Sequence, residues 1–233
     1  ISDNRLLHSQ ALYSSGLGKE INGIKPDVVL LGWLGNSTLS IREIGRLQAP
    51  VVWRLSDMWV FCGAEHYTEQ ARYASGYARV SRPKSESGPD INRETFKRKL
   101  RFWKNHPYVI SPSGWMTGEL KKSHLTRRWP VETIPNAIDT DYWKPVSQGM
   151  ARNELGLPSV GKIILFGAGA GFKDEHKGGD LLLKAIQHLS TGYRVGDYAP
   201  RVVIFGESQP SFQIGDIPVM FLGRLDDNGL RMA

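Results

Sequence analysis

The sequence predicts an α/β protein built as two halves, each around a parallel sheet, that face one another across a cleft. Three observations carry that reading. Residues 27–55 run strand, helix, strand at the spacing of a βαβ unit, the unit from which parallel sheets are assembled. Residues 162–189 repeat the theme, with a glycine-rich loop between strand and helix. Near Asp139–Pro145 the alternation stops and begins again, which divides the chain into residues 1–144 and 145–233. A cleft between two such halves is the expected ligand site.

In the first half, Pro26 precedes Asp27–Leu31, whose apolar run reads as a buried parallel strand. Residues 37–48 place Leu39, Ile41, Ile44 and Leu47 on one helical face before Pro50. Val51–Leu55 is the next strand. Residues 56–92 then lose periodicity, and a loop of that length in a compact domain is functional or mobile. Its first residues follow the carboxyl end of a strand, where ligand-facing groups gather in open α/β sheets. Asp57 and His66 are the acid/base or hydroxyl-binding candidates there; a turn-capping Asp57 and an exposed His66 form the competing reading. Residues 92–104 read as a helix capped by Asn92, with Phe96, Leu100 and Trp103 on one face. Arg93, Lys97, Arg98, Lys99, Arg101 and Lys104 occupy the rest, a surface suited to solvent, to an anionic membrane or to an acidic partner. Strand Tyr108–Ser111, a helix from Ser113 to about Ser123, and strand Glu132–Pro135 complete this half.

In the second half a short helix, Arg152–Gly156, leads to strand Lys162–Phe166. Gly167, Gly169 and Gly171 break the strand, and Leu182, Ala185, Ile186 and Leu189 recur at helical spacing. A strand, a glycine loop and a helix N-terminus together hold anions, because the backbone approaches closely and unpaired N–H groups and the helix dipole attract charge. Lys177 adds a full positive charge, and Gly178 and Gly179 offer backbone N–H groups. The glycine spacing fits neither a dinucleotide fingerprint nor a P-loop, so an ordinary tight turn stays open at this level. Strands Arg201–Phe205 and Pro218–Leu222 end at Gly206 and Gly223.

With 40% hydrophobic and 23% charged residues, the 233-residue chain has the composition of a soluble globular protein. Its longest apolar run, Val28–Leu34, is interrupted by Gly32 and too short to cross a bilayer. Ile1-Ser2-Asp3-Asn4 shows no signal peptide, and the single cysteine, Cys62, excludes an internal disulfide and fits a reducing, cytoplasmic compartment. The sequon Asn36-Ser37-Thr38 then has no meaning as a glycosylation site. A net charge of +7 points to anionic partners, whether nucleotide phosphate, acidic lipid or nucleic acid. No His/Asp/Glu cluster has metal-ligand spacing, so no metal is expected.

Several motifs in order resemble the retaining glycosyltransferases of family 4, which have the GT-B fold of two Rossmann-like domains. Pro26-Asp27-Val28-Val29 with Leu31-Gly32-Trp33 is similar to that family's Pro-Asp-hydrophobic strand. Pro50 to Trp59, ending Ser56-Asp57-Met58-Trp59, resembles its strand and His-Asp-Met-Trp loop, and Gly63 with His66-Tyr67 resembles the loop's end. Ser111-Pro112-Ser113 with Trp115 resembles a Pro-Ser-x-Trp helix start, Ile134-Pro135-Asn136-Ala137-Ile138-Asp139 an Ile-Pro-Asn-Gly-Ile-Asp linker, and Lys177-Gly178 the opening of the first donor-domain helix. The chain departs from the pattern at Ser56, where relatives carry histidine, and lacks cysteines after Tyr67. The arginine that relatives carry a few residues before Lys177 has no counterpart among Gly167–Phe172, with Lys173 as the candidate substitute. Glu207 is the only glutamate after Glu175, so the family's glutamate pair is missing and both domains are expected to be incomplete.

The resemblance implies transfer of a sugar, with retention, from a nucleotide-diphosphate sugar to a hydroxyl of a glycan or lipid-linked acceptor in polysaccharide biosynthesis. It implies no metal or other cofactor: basic side chains and a helix N-terminus neutralise the leaving diphosphate. Lys177, Gly178, Gly179 and Lys173 are the implied diphosphate ligands, and Gly167, Gly206 and Gly223 would shape the nucleotide pocket. Asp57 and His66 would face acceptor or transferred sugar as catalytic groups, and Asn136 and Asp139 would organise the hinge. The fragment alone is expected to be inactive. A cytoplasmic protein is expected, with peripheral attachment to the inner membrane face left open by the basic helix. A nucleotide-sugar epimerase of the same fold, or a non-catalytic nucleotide-sugar or glycan-binding module, are the alternatives. Nucleic acid is the weakest partner, since nothing resembles a reading motif.

Overall fold

The computed structural model describes residues 7–35, 38–167, 169, 177–192 and 200–233. Ile1–Asn4, Asn36 and Ser37 of the sequon, Gly171 and Lys173 lie outside the described residues. The chain divides into two units, Ile1–Ala137 and Ile138–Ala233, each with its own sheet and core.

Unit 1 is built on β1 (Val29–Leu31), β2 (Val51–Arg54), β3 (Tyr108–Ser111) and β4 (Val131–Thr133), all parallel and in that order. Parallel pairing places every carboxyl end on one edge, so the connections leaving the strands share that edge. Helix α1 (Leu17–Ile24) precedes β1, and α2 (Ile41–Ile44), α3 (Ile91–Phe102) and α4 (Gly114–Lys122) lie in the crossovers. The core holds four buried tryptophans in contact: Trp103 lies 5.3 Å from Trp53, 5.8 Å from Trp59 and 6.1 Å from Trp129. Three of them spend their indole N–H on a main-chain carbonyl: Trp53 on Gly32, Trp59 on Ser9 and Trp103 on Ile41. This seats the rings as well as burying them.

The helix expected over 37–48 is much shorter, because Ser40 caps it and Gly45 ends it. Ser40 and Glu43 form a reciprocal capping box. Glu43 also reaches the start of α1, a helix the sequence reading missed, and accepts the Gly16 N–H at 2.9 Å and the Ser15 N–H at 3.2 Å. One carboxylate thus serves two helix N-termini. A Cβ on Gly18 would lie 2.9 Å from that of Glu43, so α1 can approach this closely only with glycine there.

The segment entering the long loop corrects another expectation. Every residue from Asp57 to His66 is buried. The reason lies in α3, where Lys99 is not on a solvated face but wholly buried. Its ammonium donates to the carbonyls of Trp59, Cys62 (3.1 Å) and Gly63 (2.8 Å) and sits 3.9 Å from the Trp59 ring centroid. One turn of carbonyls thereby finds all three ammonium donors. Burial pushes Lys99 down to about 7, against the upward pull of the Glu65 and Asp57 carboxylates. Asn92 is not the N-cap of α3; Asp90 is, accepting the Arg93 N–H at 3.0 Å. Asn92 instead faces inward and accepts the Ala64 N–H at 3.1 Å.

Unit 2 contains α5 (Gln148–Glu154), β5 (Ile163–Gly167), α6 (Gly179–Gly192), β6 (Arg201–Phe205), β7 (Phe212–Ile214), β8 (Ile217–Gly223) and α7 (Asp227–Met232). The sheet order is β5-β6-β8-β7, with β5, β6 and β8 parallel and β7 antiparallel beside β8. Ile186 of α6 packs on Val202 and Ile204 of β6 and on Ile217 and Val219 of β8, all buried.

Two expectations follow. Burial opposes the Glu43 charge, but hydrogen bonds from the Ser40 side chain and amide, the Ser14 hydroxyl and the Ser15 amide outweigh it and hold the carboxyl down at about 2. Because the folded value is depressed, this stabilisation is present above the usual 4.5 and is lost as pH falls from there towards 2. Glu43→Gln should therefore cost about 2 kcal/mol in urea unfolding at neutral pH and flatten the acid limb of the stability profile. Lys99→Met strands carbonyls worth about 1–3 kcal/mol each, so a loss of at least ~3 kcal/mol is expected. Lys97→Met, on the exposed face of the same helix, should cost less than ~0.5 kcal/mol.

Candidate functional site

The sequence-predicted residues gather in two places, one in each unit. In unit 1 the structure brings Asp57 and His66 together. Asp57 Oδ2 lies 2.5 Å from His66 Nδ1, and His66 Nε2 lies 2.7 Å from the Ser9 hydroxyl. An ionised Asp57 requires the proton on Nδ1, which leaves Nε2 to accept the Ser9 O–H. Ser9 was missed from the sequence, since 57 positions separate it from His66 and no motif marks it.

The chain Ser9–His66–Asp57 has the connectivity of a proton relay, yet all three residues are buried and His66 is wholly so. Asp57 Oδ1 also accepts the Trp59 N–H at 3.0 Å, and the Trp59 indole stacks on the imidazole at 6.0 Å and 17°. Backbone bonds from His66 N–H to Leu7 O and from Met58 N–H to His66 O fasten the ring's own residue. The polar capacity of Asp57 and His66 is therefore spent inside the protein, and the exposed reading of His66 is corrected. Trp33, 5.9 Å from the imidazole, is 48% exposed.

The two linker residues fall on either side of the division between units. Asn136 Oδ1 accepts from Arg54 at the end of β2, at 2.6 Å. Asp139 Oδ1 accepts the Asp141 and Tyr142 N–H groups at 2.9 and 3.2 Å, a local turn within unit 2.

In unit 2 the carboxyl ends of β5, β6 and β8 meet around a hollow of about 390 Å³ lined by Gly167, Gly169, Lys177, Phe205, Gly206 and Arg224, with Leu225 and Leu230. This is the edge at which open parallel sheets bind ligands. Gly206 has φ 97° and Gly223 φ 69°, and the Gly206 N–H bonds the Gly223 carbonyl at 2.7 Å, joining the two strand ends by main chain alone. Gly178, at φ 73°, turns the chain into α6, whose first residue, Gly179, is buried. Lys177 is exposed beside them. Arg224 was missed; a basic residue straight after the strand-ending Gly223 was its only signal. A larger groove of about 690 Å³ runs along β5 beside α5, but holds none of the predicted residues, and its Arg152 is already bonded to the Pro158 and Gly161 carbonyls.

Among the described residues no three His, Cys, Asp or Glu side chains gather as for a metal ion, and no helix is long and apolar enough to cross a membrane. No family profile and no curated protein sequence matches the chain. Among solved structures, sucrose-phosphate synthase from Thermosynechococcus elongatus superposes with a TM-score of 0.58 at 15% identity, covering 93% of this chain and 50% of that one. That neighbour is a glycosyltransferase of the GT-B fold. At this identity the likeness is one of fold, and the chain spans about half the neighbour's length.

Asp57→Ala should strand the His66 and Trp59 donors and lower the unfolding free energy by about 2–4 kcal/mol, read by urea denaturation. Ser9→Ala, which removes one hydroxyl, should cost about 1 kcal/mol.

Proposed function

We propose that the chain is part of a retaining glycosyltransferase of family 4, moving a sugar from a nucleotide-diphosphate sugar to a hydroxyl of a glycan or lipid-linked acceptor. The observation that carries this reading is the hollow at the carboxyl edge of unit 2, where Lys177 and Arg224 meet a main-chain wall of glycines at the start of α6. The fold likeness to a sugar-transferring enzyme supports it.

In this reading unit 2 binds the donor. Transfer generates negative charge on the leaving diphosphate as the glycosidic bond breaks, and positive charge on the sugar ring. The Lys177 ammonium, the Arg224 guanidinium and the N-terminal amides of α6 neutralise the diphosphate, a task the proposal gives to these groups and not to a metal. Retention needs no pair of carboxylates flanking the bond; the departing phosphate oxygen takes the acceptor proton.

Unit 1 serves the acceptor. Asp57 and His66 act there as positioning residues, holding the turn that carries Trp59 and supporting Trp33, and not as groups that touch the reacting atoms. Work on polysaccharide precursors in the cytoplasm, at the inner face of a membrane, fits the outward cations of α3, Lys97 and Arg101 among them.

A charged hydrogen bond is worth about 1.5–3 kcal/mol, so Lys177→Ala and Arg224→Ala should each weaken nucleoside-diphosphate binding about 10- to 150-fold by calorimetry on the full-length protein. Unchanged affinity in both variants removes the donor site from unit 2. A thermal-shift panel of nucleotide sugars names the donor.

A further inference from the structure

The edge of unit 1 opposite its strand carboxyl ends carries a cluster that the proposed transfer does not use. His106 lies between α3 and β3, and residues 124–128 lie between α4 and β4. Together His106, His124, Leu125, Arg127 and Arg128 line a hollow of about 230 Å³. Its base is ordered. Trp129 and Leu125 are buried, and His106 stacks on Trp129 with centroids 5.7 Å apart and planes at 28°. The turn is pinned by Ser123 Oγ on the Phe61 carbonyl and Thr126 Oγ on the Leu120 carbonyl, both 2.7 Å, and by the His124 N–H on the Tyr73 carbonyl at 3.0 Å.

Other cations at this edge are accounted for. Lys104 and Lys121 bond the Leu100 and Trp129 carbonyls and Lys122 pairs with Glu119, as expected where α3 and α4 end and their dipoles favour positive charge. The four that line the hollow differ. Among the described residues no side chain donates to or accepts from His106, His124, Arg127 or Arg128, and no carboxylate lines the hollow. Two guanidinium groups and two imidazoles are thus gathered with no carboxylate among the described residues that line the hollow. All four side chains are exposed and open to an incoming anion.

We propose that this hollow binds a phosphate monoester. Guanidinium forks and imidazole N–H groups match phosphate oxygens, and the charge suits a dianion. The volume lies below the roughly 300–1,000 Å³ of pockets that enclose whole small molecules, so the phosphoryl group enters and the rest of the ligand stays outside. Free phosphate, a phosphorylated sugar and a phosphatidic acid headgroup share that chemistry.

The test follows histidine C2–H signals of the full chain by NMR, assigned with His106→Gln and His124→Gln, as inorganic phosphate replaces chloride at constant ionic strength. The His106 and His124 signals should shift and saturate. The double variant Arg127→Ala/Arg128→Ala, checked for an unchanged circular dichroism spectrum, should bind at least ~10-fold more weakly. Reading these two signals keeps the result separate from any binding at Lys177. Glucose 1-phosphate saturating the same shifts identifies a soluble ester as the ligand. Sedimentation with phosphatidylcholine vesicles containing phosphatidic acid, but not phosphatidylserine, lost in the double variant, identifies a headgroup. Shifts that do not saturate, that chloride reproduces, or that persist in the double variant overturn the proposal, as does equal sedimentation with both vesicles.

Discussion

The Lys99 ammonium has three N–H groups, and the turn from Trp59 to Gly63 presents it with three carbonyl oxygens. That match decides the architecture around the carboxyl edge of unit 1. A turn that folds into the core must satisfy its main-chain oxygens there or lose the solvation that water gave them. Helix α3 supplies the satisfaction from one face, with Lys99 on the carbonyls and Asn92 on the Ala64 N–H. Gly63 completes the fit, since a Cβ there would lie 2.6 Å from the Asn92 carbonyl oxygen. With the turn seated, Trp59 stacks on His66, and Asp57 and Ser9 occupy the imidazole nitrogens.

The two units use their strand ends in opposite ways. Unit 1 folds the polar groups of Ser9, Asp57 and His66 inward and joins them to one another, with Trp33 exposed beside them. Among the described residues, unit 2 leaves Lys177 and Arg224 without carboxylates in the lining of a hollow whose other walls are glycine, leucine and an aromatic ring. Under the proposed function, the closed edge supports an acceptor and the open charge receives a diphosphate.

The core strands β2, β3, β6 and β8 were legible because each is a short apolar run that contains β-branched residues. The glycines of the unit 2 hollow were legible for the same reason: they terminate those runs. What was missed depends on contacts distant in sequence. Helix α1 has only eight residues, two of them the glycines Gly18 and Gly23, and its start stands on a carboxylate from Glu43 that no local pattern reveals. Strand β7 has three residues and exists by pairing with β8. The burial of Asp57–His66 could have been suspected. Lys99 stands three residues after Phe96 and four before Trp103, on the apolar stripe of its helix, so its charge had to be answered from inside. Ser9 carried no such signal.

The wall of the unit 2 hollow also constrains how the protein can change. Gly206 and Gly223 hold left-handed conformations, and a Cβ on Gly167 would collide with the Phe205 ring at 2.0 Å. Where main chain forms the wall, the genetic code has little to edit without damaging the sheet. Under the proposed function, discrimination between ligands that share a phosphate but differ elsewhere falls to the side chains of the lining, Lys177, Phe205, Arg224, Leu225 and Leu230.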